Sequence, residues 1–128
     1  MARILVIDDD DLLRGVLAKA LSLRGHTITE AADGKEGVER ARITELDLVI
    51  TDLVMPVQEG LETIVTLRRE QPELPVIAMS GGATNSKLYL EIAGKIGARR
   101  ILPKPFTPKR LVELIDEILA AGSPKAKA

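Results

Sequence analysis

Five polar residues stand at or just beyond the ends of short apolar runs: Asp8 and Asp9 after R-I-L-V-I, Asp52 after L-V-I-T, Ser80 after V-I-A-M, and Lys104 after R-I-L-P. Carboxylates gathered in one pocket repel one another, which raises their pKa values. A hard divalent cation resolves this. Magnesium prefers oxygen ligands and typically combines one or two carboxylates with water and a phosphate oxygen. Lys104 lies between Pro103 and Pro105, which restrict its backbone, so it can offer a fixed positive charge to a phosphoryl oxygen. Ser80 can donate its hydroxyl to the same oxygens, and Gly81 and Gly82 allow close backbone approach. A carboxylate, a cation, a hydroxyl and a lysine are the parts needed to receive a phosphoryl group, a reaction that rests mostly on positioning and charge neutralisation. Asp52 is then the nucleophile, forming an acyl phosphate. Each residue alone has a plainer role. Asp10 and Asp11 read as a helix cap with surplus acids in solvent, Lys104 as a turn lysine, and Ser80 as part of a Ser-Gly-Gly turn. The combination carries the chemistry.

These residues can meet only if the chain folds in one way. Arg3–Ile7 is apolar on both faces, as a central parallel strand is, and Thr27–Ala31 alternates as a shorter one. Further strands are expected at 46–51, 75–79 and 100–102. A stripe of Leu13, Val16, Leu17, Ala20 and Leu21 predicts a helix that Gly25 stops. Asp33 with Glu36 resembles a capping box at the start of the next helix, through Val38 and Ala41. Leu61, Ile64, Val65 and Leu67 mark a helix over 60–70, and Leu88, Tyr89, Ile92 and Ile96 mark one over 86–96. The last opens with Thr107 and Pro108 and carries Leu111, Leu114, Ile115, Ile118 and Leu119. Five strands alternating with five helices and short connections predict an α/β, doubly wound parallel sheet with helices on both faces. In such sheets ligands sit beyond the carboxyl ends of the strands, where all five polar residues fall.

Composition narrows the function. The length of 128 residues suits one domain, expected over 1–121 with a flexible basic tail at 122–128. A net charge of −1 and only Tyr89 and Phe106 as aromatics argue against direct nucleic-acid binding. The absence of cysteine excludes disulfides and thiolate sites, and the lone histidine, His26, reads as a helix-end residue. No apolar stretch is long enough for a membrane span and no leader pattern opens the chain, so a cytoplasmic location is expected.

The chain resembles the receiver domain of bacterial two-component response regulators. The resemblance runs from Ala2 to about Ala121 and rests on four motifs in order: V-I-D-D, V-I-T-D-L-V-M-P-V-Q-E-G, M-S-G-G and P-K-P-F. It implies a flavodoxin-like sheet of order 2-1-3-4-5, and phosphorylation of Asp52 by a sensor histidine kinase or phosphotransfer protein. It implies Mg2+ held by Asp9, Asp52 and the carbonyl of Val54, with Asp8 acting through water. Ser80 and Lys104 would grip the phosphoryl oxygens, and Lys104–Pro105 would be a cis peptide. The phosphorelay output would be a protein-binding face built from the fourth helix, fifth strand and fifth helix. That face would serve a downstream protein target, a phosphorylation-dependent dimer, or an output domain outside this chain. One departure stands out: Ile101 occupies the position, three before the lysine, where the family usually has Tyr or Phe. The loop from Ser80 to Lys87 is then expected to carry more of the signal. Val54 and Gly82 lack polar side chains to orient an attacking water, so slow self-dephosphorylation is expected.

Three rivals compete with this reading. A pseudo-receiver would use the same fold as a constitutive protein-interaction module, but it would not need all five polar residues. A D-x-D phosphohydrolase needs an acid two residues after its nucleophile, where Val54 stands. A flavodoxin-type cofactor binder needs a phosphate loop after the first strand, where four aspartates would repel a phosphate.

Overall fold

A computed structural model describes residues 1–53, 57–80 and 86–121. The elements follow as β1 (Arg3–Ile7), α1 (Asp11–Leu23), β2 (Thr27–Ala31), α2 (Gly34–Ile43), β3 (Leu48–Asp52), α3 (Val57–Glu70), β4 (Val76–Ser80), α4 (Ser86–Lys95), β5 (Arg100–Pro103) and α5 (Pro108–Ala121). The strands form one parallel sheet of order β2-β1-β3-β4-β5. That is the expected fold and strand order. No helix among the described residues is long and apolar enough to cross a membrane.

Period-two alternation divides the central strands between two cores. Leu5, Ile7, Val49, Val76 and Ala78 pack with Ala41, Ile64, Leu67, Leu90 and Ala93 on the side of α2, α3 and α4. Ile4, Val6, Leu48, Ile50, Ile77 and Met79 pack with Leu17, Leu21, Leu111 and Ile115 on the side of α1 and α5. Burial on both faces is why β1, β3 and β4 read as unbroken apolar runs.

Helix ends follow the local chemistry. The Asp10 side chain accepts from the Leu13 amide at the start of α1, and that of Asp33 accepts from the Glu36 amide at the start of α2. Glu36 reaches back to the amide of Ala32, one residue before the cap. Gly25, at φ +96°, closes α1: its amide donates to the Ser22 carbonyl and that of His26 to the Leu21 carbonyl. His26 Nδ1 in turn accepts from the Ala2 amide, so the residue at the helix end also ties down the first strand.

Several boundaries and faces differ from expectation. β3 begins at Leu48 rather than 46; just before it, Asp47 donates its amide to the Arg3 carbonyl and accepts the Arg3 amide on its carboxylate. Pairing of Asp52 with Met79 and of Ser80 with Pro103 makes both polar residues the last of their strands. α3 starts at Val57, three residues before the expected start at Gly60. Val16, Val65 and Leu88, expected on buried faces, are exposed, and α4 buries Leu90 and Ala93 instead. These helices carry apolar residues on more than one side, and the sheet selects which are covered.

Leu53 links fold and site. It is fully buried directly after Asp52, its amide donates to the Met79 carbonyl at 2.8 Å, and Gly60 of α3 lies against its backbone. A Cβ at Gly60 would sit 3.2 Å from the Leu53 Cα and 3.4 Å from the Asp52 carbonyl oxygen, so glycine lets α3 press on the end of β3. Leu53→Ala is expected to cost about 2–5 kcal/mol of stability in urea unfolding, well beyond an exposed-leucine control such as Leu12→Ala.

Candidate phosphoacceptor and cation site

The carboxyl ends of β1, β3, β4 and β5 bring the predicted residues to one edge. Asp8 follows β1 directly, and its amide donates to the Ala31 carbonyl of β2 at 3.1 Å, which carries the strand pairing one step beyond Ile7. Its side chain is completely buried and that of Asp52 is 2% exposed. One carboxylate oxygen from each of Asp8, Asp9 and Asp52 lies within 4.8 Å of the others, with Asp9 on the solvent side. Lys104 Nζ donates to Asp52 Oδ2 at 2.9 Å and lies 3.9 Å from Asp8 Oδ2, too far for a hydrogen bond. The backbone of Lys104 is fixed separately: its amide donates to the Ser80 carbonyl at 2.7 Å, and the Lys104–Pro105 peptide is cis. Ser80 is buried, one step along β4 from the Met79 that pairs with Asp52.

Asp8 is the electrostatic anomaly. Its Oδ1 accepts from the Asp10 amide at 2.9 Å, but its buried Oδ2 has no hydrogen-bond partner. Burial pushes its carboxyl up to about 7; the Asp10 amide pulls it down, repulsion from Asp52 raises it, and Lys104 lowers it. An orphaned buried carboxylate oxygen beside two further carboxylates suits a hard, oxygen-loving cation. The donor set therefore fits Mg2+.

Sequence reasoning found Asp8, Asp9, Asp52, Ser80 and Lys104, and the fold brings them to the same edge. Val54, whose carbonyl completes the expected cation set, lies outside the described residues, as do Gly81 and Gly82. Ile101 is on β5 and 41% exposed. Two supporting residues were missed. Gly60 has no signal short of the packing itself. Arg14, whose guanidinium reaches the Asp8 carbonyl, sits where a helix-face reading expects only a solvated charge.

The sequence model of the response regulator receiver domain matches residues 4–116. The chain belongs to this family. It is 37% identical over 125 residues to the DNA-binding transcriptional regulator NtrC of Azospirillum brasilense, covering 98% of this chain and 26% of that protein. It is 36% identical over 121 residues to the sensor kinase CckA of Brucella abortus, covering 92% of this chain and 12% of the relative. Among solved structures, a CheY-like receiver domain protein from Methanospirillum hungatei superposes with a TM-score of 0.87 at 26% identity. That match covers 94% of this chain and 95% of the neighbour. The receiver thus spans only a small part of the first two relatives but nearly all of the third.

The raised Asp8 carboxyl makes a pH prediction. Folded Asp8 keeps its proton up to about 7, whereas an unfolded aspartate loses it near 3.8. Its contribution to stability is therefore present below the unfolded value and is lost as pH rises through about 7. Without metal, Asp8→Asn should be more stable than the wild type at pH 8 by ~1 kcal/mol or more, roughly 4 °C in Tm. The gap should narrow toward pH 5 and on adding Mg2+ to the wild type. Thermal unfolding across that range measures it, and a pH-independent difference would contradict the assignment.

Proposed function

We propose that this receiver, residues 1–121, accepts a phosphoryl group on Asp52 from a histidine kinase or phosphotransfer protein in a Mg2+-dependent reaction. The observation that carries this reading is the junction of Lys104 Nζ, 2.9 Å from Asp52, with the orphaned Oδ2 of Asp8 in the same recess. Asp8, Asp9 and Asp52, with the Val54 carbonyl, would hold the cation, which when bound neutralises charge on the phosphoryl oxygens. An Asp52 carboxylate oxygen forms the new bond to phosphorus as the donor's bond breaks, and the electron pair leaves with the donor. Lys104, already poised on Asp52, transfers its ion pair to a phosphoryl oxygen, and Ser80 donates its hydroxyl to another. The backbone bond from Lys104 to Ser80 links the two groups that sense the new charge of about −1.5 to −2.

This is a phosphoacceptor rather than an enzyme with a separate turnover substrate, and the acyl phosphate decays slowly for want of a polar side chain at Val54 or Gly82. The signal leaves through the surface of α4, β5 and α5 to a protein target, a second copy of the domain or an output domain. Because Ile101 replaces the usual aromatic, the expectation is that the segment from Ser80 to Lys87, of which 81–85 lie outside the described residues, carries more of that change. A cytoplasmic site of action, without direct contact to nucleic acid or membrane, fits a charge of −1. An apolar recess beside Lys104, lined by Leu13, Val16, Leu17, Phe106 and Pro108, gives a phosphodonor protein a surface adjoining the acceptor.

Incubation with acetyl phosphate and Mg2+ should give one phosphoryl adduct on Asp52 by mass spectrometry, absent without Mg2+ and absent in Asp52→Asn. Lys104→Ala should slow adduct formation about 10- to 100-fold. A wild-type chain that forms no Mg2+-dependent adduct and shows no amide shifts with beryllofluoride would instead be a constitutive protein-interaction module.

A further inference from the structure

We propose that Arg14 is a positioning residue for the cation-binding carboxylates: its guanidinium fixes the peptide joining Asp8 to Asp9, and so sets where Asp9 presents its carboxylate. The inference rests on the Mg2+ reading above. Three nitrogens of this one guanidinium meet three different oxygens. Nη1 donates to the Asp8 backbone carbonyl at 2.7 Å and Nε to Glu30 Oε1 at 3.1 Å, while Nη2 forms an ion pair with Asp11 Oδ1 at 2.8 Å. The side chain is only 15% exposed, whereas Glu30 and Asp11 are at the surface.

The geometry assigns different parts to the three partners. Glu30, on β2, and Asp11, in the first turn of α1, hold the plane of the fork, and the Asp8 carbonyl is what the fork holds. The Asp8 amide is already fixed by the Ala31 carbonyl, and Asp8 Oδ1 by the Asp10 amide. Apart from the unpartnered Oδ2, the Asp8 carbonyl is the remaining polar group of that residue, and its orientation determines the direction in which the chain enters Asp9. A lysine ammonium is a compact point charge without a planar fork and cannot reproduce this three-way geometry.

A role confined to ion pairing does not account for the arrangement. Exposed ion pairs such as those with Glu30 and Asp11 contribute little to stability. A fixed positive charge near a cation site opposes cation binding. Removing it would therefore tighten Mg2+ binding if Arg14 acted only through its field, and weaken it if Arg14 acts by positioning. The two roles predict opposite signs.

The test is a Mg2+ titration of the full 128-residue chain, followed by amide NMR at pH 8 and constant ionic strength, for wild type, Arg14→Ala and Arg14→Lys. Positioning predicts roughly 10-fold weaker Mg2+ binding in both variants, the size expected when a partner of a metal ligand is removed. Without metal, it also predicts faster hydrogen exchange at the Asp10 amide, which donates to Asp8 Oδ1, while amides in β3 and β4 keep their protection. Equal or tighter Mg2+ binding in the variants overturns the proposal. If Arg14→Ala does not fold, Arg14→Lys decides, since it keeps the charge and loses the fork. A wild type that shows no Mg2+ response overturns the functional reading and the cation role with it, and Asp10 exchange then decides whether the clamp exists.

Discussion

Two carboxyl groups, Asp8 and Asp52, share a buried recess at the ends of neighbouring strands, and among the described residues one ammonium, Lys104, lies within 4 Å of both. Lys104 is hydrogen-bonded to Asp52 and too distant to satisfy Asp8. The remaining oxygen of Asp8 is therefore buried without a hydrogen-bond partner, and its carboxyl is driven up to about 7. A fold selected for stability alone would not keep this group. Its presence makes sense if the recess is completed from outside by a cation and a phosphoryl group, each of which supplies what the other residues lack.

The rest of the architecture makes this recess possible. Burying acids requires a rigid surround, and β1, β3 and β4 provide it with apolar side chains on both faces. Parallel pairing places every strand's carboxyl end on the same edge, so residues 44 positions apart, Asp8 and Asp52, become neighbours without any special loop. Close contacts then fix the parts. Gly60 brings α3 onto the backbone of Asp52 and Leu53, and the Lys104 amide is tied to the Ser80 carbonyl. The site is thus held mostly by backbone, which leaves the side chains to respond to charge.

Much of this was legible in the sequence, for identifiable reasons. Unbroken apolar runs at Arg3–Ile7 and before Asp52 signal strands covered on both faces, and helical stripes between them leave few alternatives to an open parallel sheet. The five polar residues could be named because strand ends in such a sheet converge. What could not be read depends on three-dimensional packing. Val16, Val65 and Leu88 look like core residues because their helices are apolar on more than one side. The state of Asp8 depends on how deeply it is buried, which its place in a run of four aspartates conceals. Arg14 looks like any helix-surface arginine until its fork is seen to reach from α1 to the Asp8 carbonyl and to β2.

The central claim is that Asp8 is held in an electrostatically unfavourable state that a divalent cation relieves. The most direct measurement is a 13C NMR titration of the Asp8 carboxyl, with and without Mg2+. The account predicts a midpoint near 7 without metal and a fall toward or below the ordinary aspartate range when Mg2+ is saturating. An Asp8 carboxyl that titrates near 4 in both conditions would contradict it.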